Sequence, residues 1–254
     1  MYWGVDVGSS YTKICGINQK KEIIDVKVLP TIINQDKIVK EYLKDKEVQI
    51  IVSTGYGRHM IEDTFSCPII GEVKAHAKGS YFFHNKAQML IDLGGHDVKV
   101  ILVDETGDFV DFKMNDKCGA GIGNFLEIAS KRMGLELEEF SKIGFEADKK
   151  LSISNMCTIL AESEVISLIT EKESIANISY AVHDSIASRL VSMAQKFLMK
   201  SDCIIFTGGG ALNVLLVHLV SQKLEKNVVS SSHPQLIGAI GAALSGYEAW
   251  NIRI

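Results

Sequence analysis

The sequence contains one motif twice. Residues 6–13 (DVGSSYTK) recur as residues 92–99 (DLGGHDVK), and each copy follows an apolar segment and leads into another one. Aspartate, glycine and lysine hold the same positions in both copies. A single Asp-x-Gly sequence is common at strand ends, but two copies with the same neighbours favour a functional motif. A repeat this far apart predicts two similar domains facing one another rather than a solenoid, whose repeats are much shorter.

Each copy has the pattern of a strand, a tight glycine turn and a return strand. Glycine allows the positive φ angle of such a turn and lets backbone N–H groups approach an anion. Serine hydroxyls add donors to the first loop, and a lysine adds positive charge. The two copies therefore predict two phosphate-binding loops. Their candidate ligands are Asp6, Gly8, Ser9, Ser10, Thr12 and Lys13 in the first loop and Asp92, Gly94, Gly95 and His96 in the second.

The aspartates of the two loops, Asp6 and Asp92, stand at the ends of predicted strands. Mg²⁺ prefers a few carboxylates together with water and phosphate oxygens. Two carboxylates facing each other across a cleft therefore predict a magnesium site, with the metal held through bound water. The chain has no Walker A sequence, so it is not predicted to be a P-loop enzyme.

A third glycine-rich segment, residues 207–213 (TGGGALN), follows an apolar strand and opens a helix. Such a turn suits the phosphate or ribose of a nucleotide at the helix N-terminus, although glycine also serves close packing of a strand on a helix. The position of the segment after the two Asp-Gly loops favours nucleotide binding. Its candidate ligands are Gly208, Gly209, Gly210 and Asn213.

Short β-rich segments alternate with helical patterns along the whole chain, which predicts an α/β protein with mixed sheets. The first three strands are separated only by turns and are predicted to form a β-meander. Predicted strands cover residues 3–7, 12–17, 23–28, 48–52, 88–93, 98–103, 109–114 and 203–207. Predicted helices cover residues 37–43, 73–82, 124–132, 137–142, 162–169, 175–198, 211–221 and 235–250.

The composition is that of an ordinary globular protein, with 46% hydrophobic and 23% charged residues. A formal net charge of −4 gives no reason to expect nucleic acid as a partner. The N-terminus has neither the basic nor the apolar region of a signal peptide, and glycines interrupt the most apolar later stretch, residues 204–220. We therefore expect a cytoplasmic protein with no membrane contact.

The cysteines are the second feature of the sequence that points to a function. Five cysteines, an odd number in a cytosolic chain, are expected to be free, ligating or reactive rather than disulfide-bonded. Cys118 and Cys157 each stand just before a helical pattern, where the helix dipole and unpaired N–H groups stabilise a thiolate. Cys15 and Cys203 lie in apolar strands and are interpreted as core residues, whereas Cys67 is ambiguous.

Cys118 and Cys157 are too few for a complete iron–sulfur site within one chain, because a [4Fe–4S] cluster usually needs four thiolates. The chain also has no C-x-x-C pair. Two cysteines per chain become four in a twofold dimer, because an isologous interface repeats the same patch. From the chemistry alone, the two residues are equally well explained as cluster ligands or as structural thiols.

The order of these segments, two phosphate loops followed by a glycine loop for the adenosine, resembles that in the superfamily of actin, hexokinase, acetate kinase and the seventy-kilodalton heat-shock chaperones. This resemblance implies two actin-like (ribonuclease H-like) lobes with mixed β-sheets flanked by helices and an ATP cleft between them. Residues 1–85 would form the first lobe, with the C-terminal helix as a candidate addition to it. Residues 86–254 would form the second lobe, which carries the cysteines.

Further motifs resemble the activators of 2-hydroxyacyl-CoA dehydratases and the ATPase subunits of benzoyl-CoA reductase. They are Asn115-Asp116-Lys117-Cys118 with Gly119-Ala120-Gly121, Cys157-Thr158 with residues 161–167 (AESEVIS), residues 53–58 (STGYGR), residues 92–95 (DLGG), and Pro234-Gln235 with residues 238–243 (GAIGAA). In that family the two cysteines of each subunit bind one [4Fe–4S] cluster that bridges a homodimer. Gln235 is added to the nucleotide ligands on this basis.

The resemblance implies a homodimeric ATPase that uses ATP, Mg²⁺ and one [4Fe–4S] cluster per dimer to deliver low-potential electrons. The acceptor would be an iron–sulfur dehydratase or reductase component, and the donor a ferredoxin or flavodoxin. A metabolite kinase or an actin-like ATPase without a cluster are the alternatives. A kinase needs an acceptor pocket with a catalytic aspartate, and the sequence does not reveal one.

Two residues are candidates for catalysis. Glu162, with Glu164 as a substitute, is the candidate for polarising the attacking water, although a glutamate in a first helical turn also complements the helix dipole. His96 departs from the family, which usually carries glutamine at this position. It is interpreted either as a ligand of a water or phosphate or as a tolerated turn residue.

Overall fold

In the computed structural model, residues 1–115, 121–154 and 158–252 are described. The chain divides into two compact units, one built from residues 1–86, 103–110 and 235–254 and the other from residues 87–102 and 111–234. The strands are β1 (Tyr2–Val7), β2 (Tyr11–Ile17), β3 (Ile23–Pro30), β4 (Ile50–Gly55), β5 (Met89–Leu93), β6 (Val98–Val103), β7 (Phe109–Asn115), β8 (Ile204–Thr207) and β9 (Val228–Ser230). The helices are α1 (Gln35–Leu43), α2 (Arg58–Phe65), α3 (Glu72–Phe83), α4 (Ile122–Arg132), α5 (Leu137–Ile143), α6 (Thr158–Thr170), α7 (Ile175–Ala194), α8 (Val214–Leu224) and α9 (Ile237–Asn251).

The first unit is built on a four-stranded mixed sheet with the strand order β3-β2-β1-β4. Strand β1 pairs antiparallel with β2 and parallel with β4, and β2 pairs antiparallel with β3. Strand β1 is buried along its whole length, because helices cover the centre of the sheet on both faces. Because β1 is paired on both sides, its carboxyl end, where the first glycine turn begins, is held in place by β2 and β4.

Helix α9 covers one face of this sheet at very close range. A Cβ atom added to Gly4 of β1 would lie 1.9 Å from the carbonyl oxygen of Ala239, and one added to Gly79 of α3 would lie 2.1 Å from that of Ile237. Glycine at both positions therefore lets α9 pack directly on β1 and on α3. Helix α9 itself is rich in glycine and alanine, which keeps its surface flat.

The second unit repeats the arrangement of the first. Its five-stranded sheet has the order β7-β6-β5-β8-β9, in which β5 pairs antiparallel with β6 and parallel with β8. The central strand β5 corresponds to β1, and its parallel neighbour β8 corresponds to β4. Residues of α4, α5, α7 and α8 complete one continuous apolar core with this sheet.

The predicted α/β fold with two mixed sheets flanked by helices is confirmed. All eight predicted strands and all eight predicted helices are present, with most ends shifted by one to four residues. Helix α2 and strand β9 were not predicted. The helix predicted over residues 175–198 ends earlier, because residues Gln195–Lys200 form a 3₁₀ helix. None of the helices in the described residues is both long enough and apolar enough to cross a membrane.

Candidate functional site

Asp6 and Lys13 form an ion pair at the first glycine turn. The two residues are partners across the antiparallel strands β1 and β2, and Lys13 Nζ lies 3.1 Å from Asp6 Oδ2. The backbone N–H of Gly8 donates to the carbonyl oxygen of Tyr11 at 3.1 Å, which closes the turn. The carboxylate of Asp6 is almost completely buried, whereas the side chain of Lys13 is 19% exposed.

Asp92 and Lys99 form the same pair at the second glycine turn. They are partners across β5 and β6, Lys99 Nζ lies 3.5 Å from Asp92 Oδ2, and Gly94 N–H donates to the carbonyl oxygen of Asp97 at 3.1 Å. Lys99 Nζ also lies 2.9 Å from Asp97 Oδ2. The internal repeat of the sequence therefore corresponds to a repeat of hydrogen bonds and ion pairs in the structure.

The repeat extends to the neighbouring parallel strands. Asp6 is the register partner of Thr54 on β4, and Asp92 is the register partner of Thr207 on β8. Each threonine is followed by a glycine with positive φ, which is 85° at Gly55 and 80° at Gly208. A Cβ added to either glycine would lie within 3.0 Å of the neighbouring aspartate oxygen, so the backbone can pass the carboxylate only at glycine.

The surroundings of Asp6 fit a magnesium-bound water. Asp6 Oδ1 is buried and has no hydrogen-bond partner among the described residues, so this oxygen can still accept a hydrogen bond. Gly238, in the first turn of α9, borders the other carboxylate oxygen, because a Cβ at this position would lie 3.0 Å from both Asp6 Oδ2 and His76 Nε2. A hard carboxylate oxygen of this kind matches the preference of Mg²⁺ for oxygen ligands and their hydration waters.

Thr31 stabilises the first loop through hydrogen bonds to its backbone. Its backbone N–H donates to the carbonyl oxygen of Ser10 at 2.9 Å, and its hydroxyl donates to that of Gly8 at 2.9 Å. Thr12, one of the predicted phosphate ligands, is fully buried, and its hydroxyl bonds to that of Thr31 at 2.9 Å. Ser9 is exposed at the tip of the turn.

The second loop packs directly against the first turn of α4. Asn124 N–H donates to the carbonyl oxygen of Gly95 at 2.9 Å. A Cβ added to Gly123 would lie 2.2 Å from the carbonyl oxygen of Gly94, so no side chain fits between the loop and the helix. His96 is half-buried at the same turn. A displacement of this loop therefore has to displace the start of α4 or break these contacts.

The third glycine segment turns at Gly208, whose N–H donates to the carbonyl oxygen of Pro234 at 2.8 Å. Gly209 is exposed and Gly210 is half-buried. Asn213 is buried and caps α8, since its Oδ1 accepts from Leu216 N–H at 2.9 Å. Gln235 is half-buried in the turn before α9.

His183 engages the other end of the Asn213 side chain. Asn213 Nδ2 donates to Nε2 of the fully buried His183 at 2.8 Å, and His183 Nδ1 bonds to the carbonyl oxygen of Ser179 at 2.7 Å. Burial lowers the pKa of His183 from 6.5 to about 4. The imidazole is therefore neutral at pH 7, and it connects α7 to the segment that follows the glycines.

Two glutamates of α6 hold this helix in place. Glu162 forms an ion pair with Arg132 at the end of α4. Glu164 accepts from Ser154 N–H at 2.6 Å and so anchors the chain just before α6. The side chain of Glu162 is 31% exposed, and the sequence-based assignment of this residue to water activation stays a prediction.

Cys118 and Cys157 lie outside the described residues, but the residues that flank them come together. Ile122, at the start of α4, and Thr158, at the start of α6, line one small cavity, which Ser154 also lines. Helix α4 begins four residues after Cys118, and α6 begins at the residue after Cys157. The described residues contain no group of three or more His, Cys, Asp or Glu side chains suited to a metal ion.

The three cysteines within the described residues are buried or partly buried. Cys15 is fully buried, and burial together with the charge of Asp25 raises the pKa of its thiol to about 12. Burial also raises the pKa of Cys67, whose thiol donates to the carbonyl oxygen of Ile61 at 3.7 Å. Cys203 is partly buried next to β8. The buried thiols Cys15 and Cys67 are thus poorly suited to supply a thiolate ligand.

Several residues of the loops were not singled out as candidates. Thr207 and Thr54 could have been found from the Thr-Gly sequence that follows an apolar strand in both units, and Lys99 and Asp97 stand inside the second copy of the motif. Thr31 follows an edge strand and carries no sequence signal. The residues missed in this way are Thr31, Thr54, Gly55, Asp97, Lys99, Thr207 and Gly238.

Two sheets of matching topology, each with an Asp-Gly turn after its central strand, define an ATPase of the actin-like fold. The chain belongs to the BadF/BadG/BcrA/BcrD ATPase family, whose profile matches residues 3–246. It is 38% identical to the uncharacterized protein MJ0004 of Methanocaldococcus jannaschii over 96% of this chain and 100% of that protein. It is 37% identical to the activator of lactoyl-CoA dehydratase of Anaerotignum propionicum over 97% of both chains.

A solved structure agrees with this assignment. The activator of the 2-hydroxyisocaproyl-CoA dehydratase from Clostridium difficile, with bound ADPNP, matches with a TM-score of 0.91 and 30% identity. The match covers 100% of this chain and 97% of that one. The predicted resemblance to this group of ATPases is confirmed.

Proposed function

We propose that this ATPase is an electron-transfer activator. In this proposal it delivers low-potential electrons to an iron–sulfur 2-hydroxyacyl-CoA dehydratase, or to a related reductase component, and ATP hydrolysis drives the transfer. The names of the relatives support the proposal, because the similar proteins include activators of dehydratases for lactoyl-CoA and 2-hydroxyisocaproyl-CoA. A ferredoxin or flavodoxin is the proposed electron donor.

The observation that carries the proposal is the contact between the second phosphate loop and α4. Asn124 N–H binds the carbonyl oxygen of Gly95, and Gly123 packs on Gly94 without space for a side chain. Interiors as densely packed as this transmit displacement rather than absorb it. Because α4 begins four residues after Cys118, a change at the loop on phosphate binding would be passed through the start of α4 toward the cysteine segment.

The donor set of the chain fits a [4Fe–4S] cluster shared by two copies. Cys15 and Cys67 are held as protonated thiols by burial, which leaves Cys118, Cys157 and Cys203, and of these only Cys118 and Cys157 stand in the motifs that resemble the activator family. Residues next to both segments, Ile122 and Thr158, line the same cavity, which supports a common location for the two thiolates. A bound cluster of this type stores one electron and passes it on at a potential set by its surroundings.

In the nucleotide-binding part of the proposal, backbone N–H groups of both glycine loops and the ammonium group of Lys13 bind phosphates. Asp6 and Asp92 hold Mg²⁺ through bound water, and the third glycine segment with Gln235 binds the adenosine. Glu162 polarises the attacking water, and Arg132 orients its carboxylate. His96 is proposed to hydrogen-bond a water or phosphate beside Gly95.

The experiment is a measurement of iron and acid-labile sulfide in the anaerobically purified protein. A shared cluster predicts about four iron atoms per dimer. Cys118→Ala and Cys157→Ala should each abolish iron binding and leave ATP binding largely intact. Cys203→Ala, a cysteine next to a strand, is the matched control and should retain iron. Iron retained by Cys118→Ala or Cys157→Ala would refute the ligand assignment.

The same preparation separates the proposal from its alternatives. A metabolite kinase or a cluster-free ATPase would contain neither iron nor sulfide. An activator with its cluster should reduce a dehydratase component only in the presence of hydrolysable ATP. Hydrolysis of ATP without any iron would leave the ATPase assignment in place and remove electron transfer from the function.

A further inference from the structure

The aspartates of the two loops have threonine neighbours at equivalent strand positions, but only one of these threonines bonds to its aspartate. In the second unit the hydroxyl of Thr207 is 2.9 Å from Asp92 Oδ1 and donates to it. In the first unit Thr54 is the register partner of Asp6. Its buried hydroxyl and Asp6 Oδ1 both lack a hydrogen-bond partner in the part of the chain that the structure describes. A donor and an acceptor, both unsatisfied, therefore lie on neighbouring strands.

The two loops also differ in how close the lysine lies to the aspartate. Lys13 Nζ is 3.1 Å from Asp6 Oδ2, whereas Lys99 Nζ is 3.5 Å from Asp92 Oδ2. The aspartate with the closer lysine is the one without the threonine bond. The second loop thus shows that a threonine at this strand position can hold the carboxylate when the lysine is further away.

Lys13 is the lysine with access to a ligand. Its side chain is 19% exposed, compared with 1% for Lys99. Phosphate oxygens carry negative charge and attract the ammonium group, so a bound nucleotide competes with Asp6 for Lys13. The carboxylate of Asp6 is nearly completely buried, and a buried carboxylate that loses its partner is costly. Binding of phosphate by Lys13 therefore requires another group to take its place at Asp6.

We infer that Thr54 is a positioning residue that holds the carboxylate of Asp6 once the phosphates of a bound nucleotide draw Lys13 away. In the empty loop Lys13 is the partner of Asp6, and the hydroxyl of Thr54 makes no bond. In the loaded loop Thr54 donates to Asp6 Oδ1, as Thr207 does to Asp92. A carboxylate accepts several hydrogen bonds, so this bond leaves capacity for a magnesium-bound water. The inference rests on the proposed phosphate-binding role of Lys13.

The first test needs no nucleotide. Lys13→Met removes the ammonium group and keeps most of the side-chain volume, so in this variant Thr54 should already bond to Asp6. Adding Thr54→Val should then raise the unfolding equilibrium constant about tenfold, because a bond to a buried carboxylate is lost. In the wild type the same substitution should change this constant by no more than about twofold. Urea denaturation of the anaerobically purified full chain, followed by circular dichroism, measures all four constants.

The second test measures the affinity for ADPNP in saturating Mg²⁺ by calorimetric titration. Thr54→Val should weaken binding about fivefold, because it removes a bond that only the loaded loop makes. Thr54→Ser keeps a hydroxyl and should bind like the wild type. Ser53→Ala is the matched control and should also bind like the wild type. Ser53 has a buried hydroxyl without a partner among the described residues, but as the preceding residue of the strand it faces the other side of the sheet.

Equal effects of Thr54→Val on unfolding with and without Lys13→Met would overturn the inference. Unchanged ADPNP affinity in Thr54→Val, or an equal loss in Thr54→Ser, would overturn it as well, and this titration decides alone if Lys13→Met does not fold. Thr54→Ala takes the place of Thr54→Val if the latter does not fold. A wild-type chain that binds no ADPNP would remove the proposed nucleotide role, whereas normal wild-type binding with unchanged variants would remove the inference alone.

Discussion

Thr207 donates a hydrogen bond from its hydroxyl to Asp92 Oδ1 at 2.9 Å across the parallel strands β8 and β5. Thr54 stands at the same place relative to Asp6, yet its hydroxyl has no hydrogen-bond partner among the described residues. The second aspartate is thus fixed through both carboxylate oxygens, because Lys99 lies next to the other one. The first aspartate keeps one oxygen without a donor in the part of the chain that the structure describes.

The difference between the two threonines predicts different effects of the same substitution. Thr207→Val keeps the volume of the side chain but leaves a buried carboxylate oxygen without its donor, so it should lower the free energy of unfolding by about 2 kcal/mol. Thr54→Val removes a buried hydroxyl that makes no bond and should change this free energy by less than about 0.5 kcal/mol. Urea denaturation followed by circular dichroism measures both. Equal losses would show that the bond between Thr207 and Asp92 contributes nothing to stability.

A methyl group at Gly238 should disturb Asp6 specifically. A Cβ there would lie 3.0 Å from Asp6 Oδ2, so Gly238→Ala should displace the carboxylate and weaken MgATP binding by about tenfold. Gly246→Ala in the same helix is the control, since its Cβ would meet only methyl groups of Ile50 and Val52. Both variants gain helix propensity equally. Calorimetric titration with MgATP compares them, and equal affinities would exclude a role of Gly238 in placing Asp6.

The two glutamates of α6 should have separable roles. Glu162→Gln should lower kcat for ATP hydrolysis by about a hundredfold or more and leave nucleotide affinity unchanged, as expected for a residue that polarises water. Glu164→Gln should leave kcat nearly intact and lower the free energy of unfolding by about 1 kcal/mol, because it weakens the bond from Ser154 N–H. Steady-state phosphate release and urea denaturation measure the two effects. Wild-type turnover in Glu162→Gln would restrict this residue to its ion pair with Arg132.

His183 should make the protein sensitive to acid. Its pKa is about 4 in the folded chain because of burial, whereas the pKa of a histidine in the unfolded chain is 6.5. Between these values the unfolded state binds more protons, so the free energy of unfolding falls as the pH falls from about 6.5 to about 4. The full contribution, present above pH 6.5, is about 3 kcal/mol.

The His183→Gln variant measures this contribution. Glutamine retains an acceptor for Asn213 Nδ2 but does not titrate, so the slope of unfolding free energy against pH should become flatter than in the wild type. His59→Gln, at an exposed position, controls for the loss of a histidine. Denaturant titrations from pH 4 to pH 7.5 provide the slopes. Parallel slopes for the wild type and His183→Gln would show that the buried imidazole is not the source of the acid sensitivity.

There are physical reasons why some elements could not be predicted from the sequence. Strand β9 has only three residues, which is too short for an alternating pattern to be recognised. Helix α2 has only eight residues after Gly57 and fully buries only Ile61, so few core positions mark it in the sequence. The 3₁₀ helix after Ala194 continues the apolar pattern of α7, and composition does not distinguish the two types of helix.

The candidate loops were easier to recognise than the contacts that hold them. Asp6, Lys13, Asp92 and the turn glycines are visible because the motif is repeated. The bond of Thr207 to Asp92 joins residues that are 115 positions apart in the chain, and only the register of β5 with β8 brings them together. In the same way, Asn213 had the pattern of a nucleotide ligand, and its bond to His183 depends on how α7 packs in the second unit.

The packing of α9 on β1 has a consequence for how the chain is made. Strand β1 is synthesised before the second unit, but the helix that covers it through the contact of Gly4 with Ala239 is synthesised after that unit. Domains usually fold in the order in which they are synthesised. Here residues 87–102 and 111–234 can acquire their structure during translation, whereas the sheet formed by β1–β4 has to wait for α9 with one apolar face uncovered. That waiting period is the stage at which chaperones would be needed most.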